Sequence, residues 1–130
     1  MIEIYEYNNH IMIFSGYSEP VPHKHAAAHI FLSENEMQIH AGNDEYSARG
    51  IVIPSGIVHS VDNNGLPVLV FMLDETTSAA EQIKNVETIT GDFVDQLFQK
   101  FRAYKEHGRS SHEYIGFIRA LYMHIGIDES

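Results

Sequence analysis

The feature that most constrains the fold is a long strand-and-turn pattern that fills the first part of the chain. Short runs of β-branched and aromatic residues alternate with Gly, Pro, Asn, Asp and Ser clusters, a pattern typical of strands separated by turns. The runs lie at 2–7, 10–14, 24–32, 37–41, 45–48, 50–53, 57–61 and 68–73. About eight short strands at this spacing predict a sandwich or barrel.

The hydrophobic period changes to that of a helix in the last third of the chain. Asp92 is a suitable N-cap for a first helix, and Ser110 with Glu113 has capping-box spacing at the start of a second. Gly126 is a suitable stop. The apolar positions that recur are Phe93, Val94, Leu97, Phe98, Phe101 and Tyr104, then Tyr114, Ile115, Phe117, Ile118, Leu121, Tyr122 and Ile125. A short connector that contains Gly108 predicts an antiparallel helical hairpin.

The length of 130 residues suits one structural domain, made of a β-barrel over 1–77 and a helical hairpin over 78–130. In the strand that carries His23, His25 and His29, the alternate residues are also apolar. These are Ala26, Ala28, Ile30 and Leu32. Such an outer barrel face predicts a cover, either the hairpin or a second subunit, so we expect a homodimer.

Charge and composition exclude several classes of protein. The formal net charge of −10 opposes direct binding to nucleic acid or to anionic membranes. The sequence has no cysteine, no signal-peptide pattern and no apolar run near the ~20 residues of a membrane span, so we expect a cytoplasmic protein. No nucleophile elbow or Gly-rich phosphate loop is present in the sequence.

Nine histidines are the unusual part of the composition. In a strand, His23 and His25 share a face about 6.6 Å apart, so their imidazoles can converge on one ion. His29 has the same parity but lies roughly 13 Å from His25 in a straight strand, and joins the site only if the strand bends. His59 follows the turn Pro54-Ser-Gly56, which directs it back across the barrel.

These segments resemble the two motifs of the cupin superfamily. Pro54-x-Gly56-x-x-His59-x-x-x-Asn63 is similar to the second motif, with Gly50 near its opening glycine. His23-x-His25 is similar to the core of the first motif, with Gly16 near its leading glycine and Asn35 at a turn where the closing glycine is absent. The resemblance implies a mainly β fold, a cupin-type double-stranded β-helix (jelly-roll barrel) with a C-terminal two-helix hairpin.

The resemblance also implies that His23, His25 and His59 are metal ligands. The family commonly has glutamate where this chain has His29, which leaves His29 as either a fourth ligand or a pocket residue. The expected cofactor is a divalent transition metal, and imidazoles suit Zn, Ni, Fe, Cu or Co alike. The alternative is a metal-free cupin whose histidines hydrogen-bond to a ligand or to one another.

Two further residues are candidates for the lining of a ligand pocket, Phe31 and Tyr46, although packing in the barrel core is the favoured interpretation for each. The remaining histidines have no paired spacing, and we expect them on the surface or on helices. They are His10, His40, His107, His112 and His124. The aromatic residues of the hairpin are expected in its core and in a dimer contact.

A barrel followed by two amphipathic helices resembles the N-terminal effector-binding and dimerisation region of AraC-type transcription regulators. That family continues with a DNA-binding domain at the point where this chain ends, so the chain is a stand-alone relative or the sensor part of a longer protein. The favoured hypothesis is a sensor module for a small-molecule ligand. The alternative is a metal-dependent enzyme, a dioxygenase or isomerase, with an all-histidine site.

Overall fold

The computed structural model describes residues 2–7, 10–24 and 26–128, and all side chains within these ranges except those of residues 17–24. The strands are β1 (Glu3–Glu6), β2 (His10–Lys24), β3 (Ala28–Ala41), β4 (Asp44–Ile53), β5 (Val58–Leu73) and β6 (Glu87–Ile89). The helices are α1 (Ser78–Gln82), α2 (Gly91–Glu106) and α3 (Ser111–Ile125).

The strands form one antiparallel sheet in the order β1-β2-β5-β3-β4-β6. The long β5 is central, because it pairs with β2 along one side and with β3 along the other. The expectation of a mainly β chain with a C-terminal helical region is therefore confirmed.

A line of irregular pairing crosses the sheet and divides it into two halves. The register shifts between Gly16 and Ser18 in β2 and between Ser33 and Gln38 in β3, opposite the segment of β5 between Asp62 and Pro67. Bulges of this kind bend strands and increase their twist. The first half contains the start of β2 and β3 with the end of β5, and the second half contains their opposite ends.

The two halves share one inner core. Buried residues of the first half, such as Phe31 and Val70, belong to the same hydrophobic cluster as Ile39 and Val61 of the second half. The other members are Met37, Ala41, Ile51, Ile53 and Val68. Residues of both halves can pack together in this way only if the bent sheet folds its two halves face to face.

The helices cover the outer face of the first half. Ala28, Ile30 and Leu32 are fully buried and lie in one cluster with the apolar residues of α2 and α3. Of the two covers expected for this face, the hairpin or a second subunit, the hairpin is the one that packs on Ala28, Ile30 and Leu32. Ala26 is exposed. The aromatic hairpin core is also confirmed, with Phe98, Phe101, Tyr104, Phe117 and Tyr122 buried and Phe93 partly buried.

Several boundaries differ from the sequence prediction. The predicted pairs of short strands merge into the long β3, β4 and β5, because bulges rather than turns interrupt them. At the expected turn around Asn35 the backbone N–H of Asn35 donates to Ser33 Oγ at 3.0 Å, and its φ is not positive. The strand β6 was not predicted, since three residues carry too little periodicity.

The helix ends are mostly as expected. The N-cap of α2 is Thr90 rather than Asp92, which lies in the first helical turn. Ser110 caps α3 by accepting a hydrogen bond from the backbone of Glu113, and Gly126 ends it in the left-handed conformation at φ 79°. In the described part of the chain, each helix is too short or too polar to cross a bilayer.

Candidate functional site

Two of the candidate histidines meet in the inner core. His29 is the second residue of β3, in the first half of the sheet, and His59 is the second residue of β5, in the second half. Their ring centroids are 4.9 Å apart at an interplanar angle of 63°. Both residues are buried, with 4% and 3% of their surface exposed. The single strand predicted over 24–32 is divided, because β2 ends at Lys24 and β3 begins at Ala28. The bend of the sheet at its bulges brings His29 to His59.

Phe31 forms a wall of this site. Its ring stacks on that of His29 at 5.6 Å and 8°, and meets that of His59 edge-on at 5.9 Å and 71°. Phe31 is fully buried in the inner core. It thus lies in the core, as favoured, and also against both imidazoles.

The backbone fixes the tautomer of His59. Its Nδ1 lies 3.0 Å from the carbonyl oxygen of Ile57, in the segment that follows the turn at Gly56. A carbonyl can only accept, so Nδ1 carries the hydrogen, and the lone pair of the neutral ring is on Nε2. A backbone carbonyl in this position is the usual partner of the second nitrogen of a metal-binding histidine.

His23 is placed by its backbone, since it pairs directly with His59 across β2 and β5. Its side chain lies outside the described residues, as does the whole of His25. The predicted ligand roles of His23, His25, His29 and His59 therefore stay a prediction. Among the side chains that the structure describes, no group of three His, Cys, Asp or Glu residues is arranged to hold an ion.

The part of the inner core that the structure describes beside the histidine pair is apolar. The inner core around it consists of aliphatic and aromatic residues, and the structure describes no buried Asp or Glu. The buried polar residues of the described chain are His10, His29, Ser33, His59 and Asn63. The form of an imidazole that binds a metal is the neutral ring.

Asn63, the last residue of the second motif, holds the bend of the sheet rather than the site. Its Nδ2 donates to Ser33 Oγ at 2.9 Å and to the carbonyl oxygens of Leu66 and Pro67 at 3.2 and 3.3 Å. The amide thus ties the irregular segment of β5 to β3. It fixes the relative position of the two sheet halves that carry His29 and His59.

A separate cleft of about 380 Å³ lies on the second half of the sheet. Two cross-strand rows form most of it, one centred on His40 and the other on Gln38. It is lined by Gln38, Ile39, His40, Glu45, Tyr46, Ser47, Ser60 and Asp62. Tyr46, a candidate pocket residue, therefore lines this cleft and packs against the inner core, but no described contact joins it to the histidine pair.

The expectation that His10 lies on the surface is wrong. Its Nε2 is 2.5 Å from the hydroxyl oxygen of Tyr114, and only 6% of the residue is exposed. Tyr7 stacks on both rings and hydrogen-bonds to the hydroxyl of Tyr104 at 2.9 Å. Burial lowers the pKa of His10 to about 4 and raises the pKa of Tyr114 above its usual range. The sequence feature that could have indicated the burial of His10 is its position at the start of an apolar strand.

No family model matches the sequence, and no curated protein is significantly similar to it. Similar solved structures include protein NMB1881 from Neisseria meningitidis, with 16% identity, TM-score 0.48, and 57% of this chain and 84% of that chain covered. The conserved SPY1581 protein of unknown function from Streptococcus pyogenes has 17% identity and TM-score 0.46, with 59% and 75% covered. AerE from Microcystis aeruginosa has 17% identity and TM-score 0.51, with 68% and 47% covered. At such identity the likeness to AerE concerns the fold alone.

Proposed function

We propose that the chain is a metal- and small-molecule-binding module of the cupin type that acts as a sensor. His29 and His59, with His23 and His25, would hold a divalent transition metal, and the metal would bind the ligand as a Lewis acid. The bent sheet with its shared inner core is the arrangement expected of a jelly-roll barrel.

The observation that carries this proposal is the hydrogen bond between His59 Nδ1 and the carbonyl of Ile57. It leaves the lone pair on Nε2 in a buried ring whose neighbour, His29, offers a second imidazole at 4.9 Å. The donor set fits a borderline-soft ion such as zinc, nickel, cobalt, copper or iron. Phe31, fully buried, lies against both imidazoles and forms an apolar wall beside them.

A sensor is favoured over an acid–base enzyme by the surroundings of the site. The described chain buries no carboxylate near the histidine pair that would act as general acid or base. In addition, β3 places His29 on the inner face and the next residue, Ile30, in the core shared with the helices. A ligand that moves His29 or Phe31 therefore acts on the strand on which α2 packs.

The test is the metal content of protein purified without a histidine tag, measured by elemental analysis. We expect the wild type to retain a transition metal, and His59→Ala to lower its stoichiometry several-fold. His112→Ala is the matched control, because His112 is exposed on α3, far along the chain from the motifs. Equal metal content in folded wild type and His59→Ala protein would contradict the proposal.

A second measurement separates the sensor from the enzyme. If the loaded protein is a sensor, a bound small molecule raises its thermal midpoint without being consumed. Oxygen uptake or substrate turnover by the loaded wild type, lost in His59→Ala, would instead support the dioxygenase or isomerase alternative.

A further inference from the structure

The inner face of the first sheet half continues past its covered part onto β1 and β2, where it is exposed. Ile2 and Ile4 are 69% and 60% exposed, and Ile11 is 37% exposed. Ile4 stands opposite Ile13, which in turn stands opposite Val70 of the inner core. The exposed isoleucines are thus the outer end of the same apolar face.

β1 is also an edge strand in the described part of the sheet, since it pairs with β2 on one side only. The backbone groups along an unpaired strand edge are a template for another strand. Natural edges are usually protected by charges that point inward or by proline. The inner face of β1 carries Ile4 and Glu6, with Ile2 just before the strand, so the inward charge lies at the end of β1 and not at its apolar start. Edge and apolar face together define a surface for strand addition.

We propose that β1 pairs with β1 of a second copy of this chain, antiparallel about a two-fold axis at Ile4. In this register Ile4 stands opposite Ile4 of the second copy, and Glu3 stands opposite Tyr5 of the second copy. The neighbouring register, centred on Glu3, would place two carboxylates opposite each other, which is unfavourable. An isologous pairing of this kind closes the assembly at two subunits.

The charges at this edge favour a second copy despite the net charge of −10. Glu3 already has cationic partners, with Lys105 Nζ at 2.9 Å and Arg109 Nη2 at 3.8 Å. The Arg109 guanidinium also lies over the ring of Tyr5, 5.7 Å from its centroid. Because Tyr5 stands opposite Glu3 of the second copy, each Arg109 lies beside the strand position that faces the other chain's acidic residue. The two edges are therefore complementary.

The apolar surface of the hairpin is the competing site for a dimer contact. Met123 and Ile115 on α3 are 81% and 48% exposed. They are two separate side chains on a helix whose hydrogen bonds are satisfied internally, whereas β1 offers backbone partners as well. The structure therefore assigns the interface to β1 rather than to the hairpin.

Disulfide trapping tests the interface and its register, because the chain has no cysteine of its own. Under mild oxidation we expect Ile4→Cys to form a disulfide-linked dimer quickly, since directly opposed Cβ atoms on paired strands lie within disulfide reach. Ile2→Cys should cross-link at least ten-fold more slowly, because the two Ile2 positions lie about 13 Å apart in this register. Met123→Cys is the control for an exposed residue outside the interface.

Sedimentation or light scattering gives a second test that does not depend on cysteine. The wild type should dimerise with rising concentration to twice its mass of 14.8 kDa, and Ile4→Lys should stay monomeric with an unchanged circular dichroism spectrum. A wild type that is monomeric at every concentration, or a dimer that is trapped by Met123→Cys and not by Ile4→Cys, would overturn the proposal. The metal content of the protein plays no part in either readout.

Discussion

The ring of His29 lies 4.9 Å from the ring of His59, although the backbone partner of His29 on β5 is Met72 rather than a residue near His59. Thirteen residues of one strand separate Met72 from His59, a distance of roughly 43 Å in a straight strand. The two rings are in contact because the sheet bends and brings its two halves face to face. The geometry of the candidate site is thus a property of the bend.

The first prediction concerns metal removal. If the histidines bind a metal in the folded state only, chelation lowers the free energy of unfolding, by about 2.7 kcal/mol when free metal had been present at a hundred times its dissociation constant. Differential scanning fluorimetry with and without chelator measures the effect. His59→Ala should show little difference between the two conditions, and a wild type that is equally insensitive would contradict the prediction.

The second prediction concerns the tie across the bend. Asn63→Ala removes the donor to the buried hydroxyl of Ser33 and to the part-buried carbonyls of Leu66 and Pro67. We expect a loss of about 1–3 kcal/mol in urea unfolding, because unsatisfied buried polar groups cost about that much. Ser33→Ala is the matched variant and should lose less, since the Asn63 amide keeps its two carbonyl acceptors. Equal stability of Asn63→Ala and wild type would show that the bend does not depend on this amide.

The sequence predicted the elements of the fold better than their connections. Apolar alternation and turn residues located the strands, and capping residues such as Ser110 and Gly126 located the ends of α3. Strand order and the face-to-face halves depend on pairings between distant segments, which one sequence does not reveal. The bulges that merge strands also carry no strong local signal, so turns were predicted in their place.

The roles of single glycines also depend on contacts between distant segments that the sequence does not reveal. In the sequence, only their positions near the two motifs distinguish Gly16 and Gly50 from other glycines. In the structure, a Cβ at Gly16 would lie 2.5 Å from the carbonyl oxygen of Gly65, and both glycines permit a close approach. The reason for each glycine is a tertiary contact, which only the fold makes visible.

The candidate site could be predicted only in part, because it too depends on contacts between distant segments. The alternation of side chains along a strand predicted that His29 lies on the inner face. Its contact with His59 depends on the bend of the sheet. His10 was misplaced because its burial depends on Tyr114, which lies 104 residues further along the chain. Local spacing contains no information about such a contact.

The third prediction compares two glycines. A Cβ at Gly50 would lie 2.8 Å from Ile89 Cβ and 2.9 Å from Val94 Cγ2, so Gly50→Ala forces β6 and α2 away from β4. We expect a loss of about 1–3 kcal/mol, the usual cost of overpacking. Gly116→Ala, in the exposed middle of α3 with open space around it, should instead gain about 0.5–1 kcal/mol. Urea unfolding measures both, and a stable Gly50→Ala variant would contradict the close packing of β4.

The fourth prediction concerns pH. Burial holds the pKa of His10 at about 4 in the folded chain, whereas an unfolded histidine titrates near 6.5. Between these values the unfolded chain binds a proton that the folded chain does not, so stability is full above pH 6.5 and falls as the pH drops toward 4. The loss approaches about 3 kcal/mol at the lower limit.

His10→Gln isolates this contribution, because glutamine does not titrate and its amide can still donate to Tyr114. We expect the variant to lose much less stability than the wild type between pH 7 and pH 4.5 in urea unfolding. His107→Gln is the control of opposite sign: the hydrogen bond to Glu113 raises the pKa of His107, so its contribution is present at low pH and is lost as the pH rises through that pKa. Removal of His107 should therefore change the profile only above about pH 6.5, while removal of His10 flattens it below that pH. Parallel pH profiles for wild type and His10→Gln would mean that His10 takes up its proton within the folded chain.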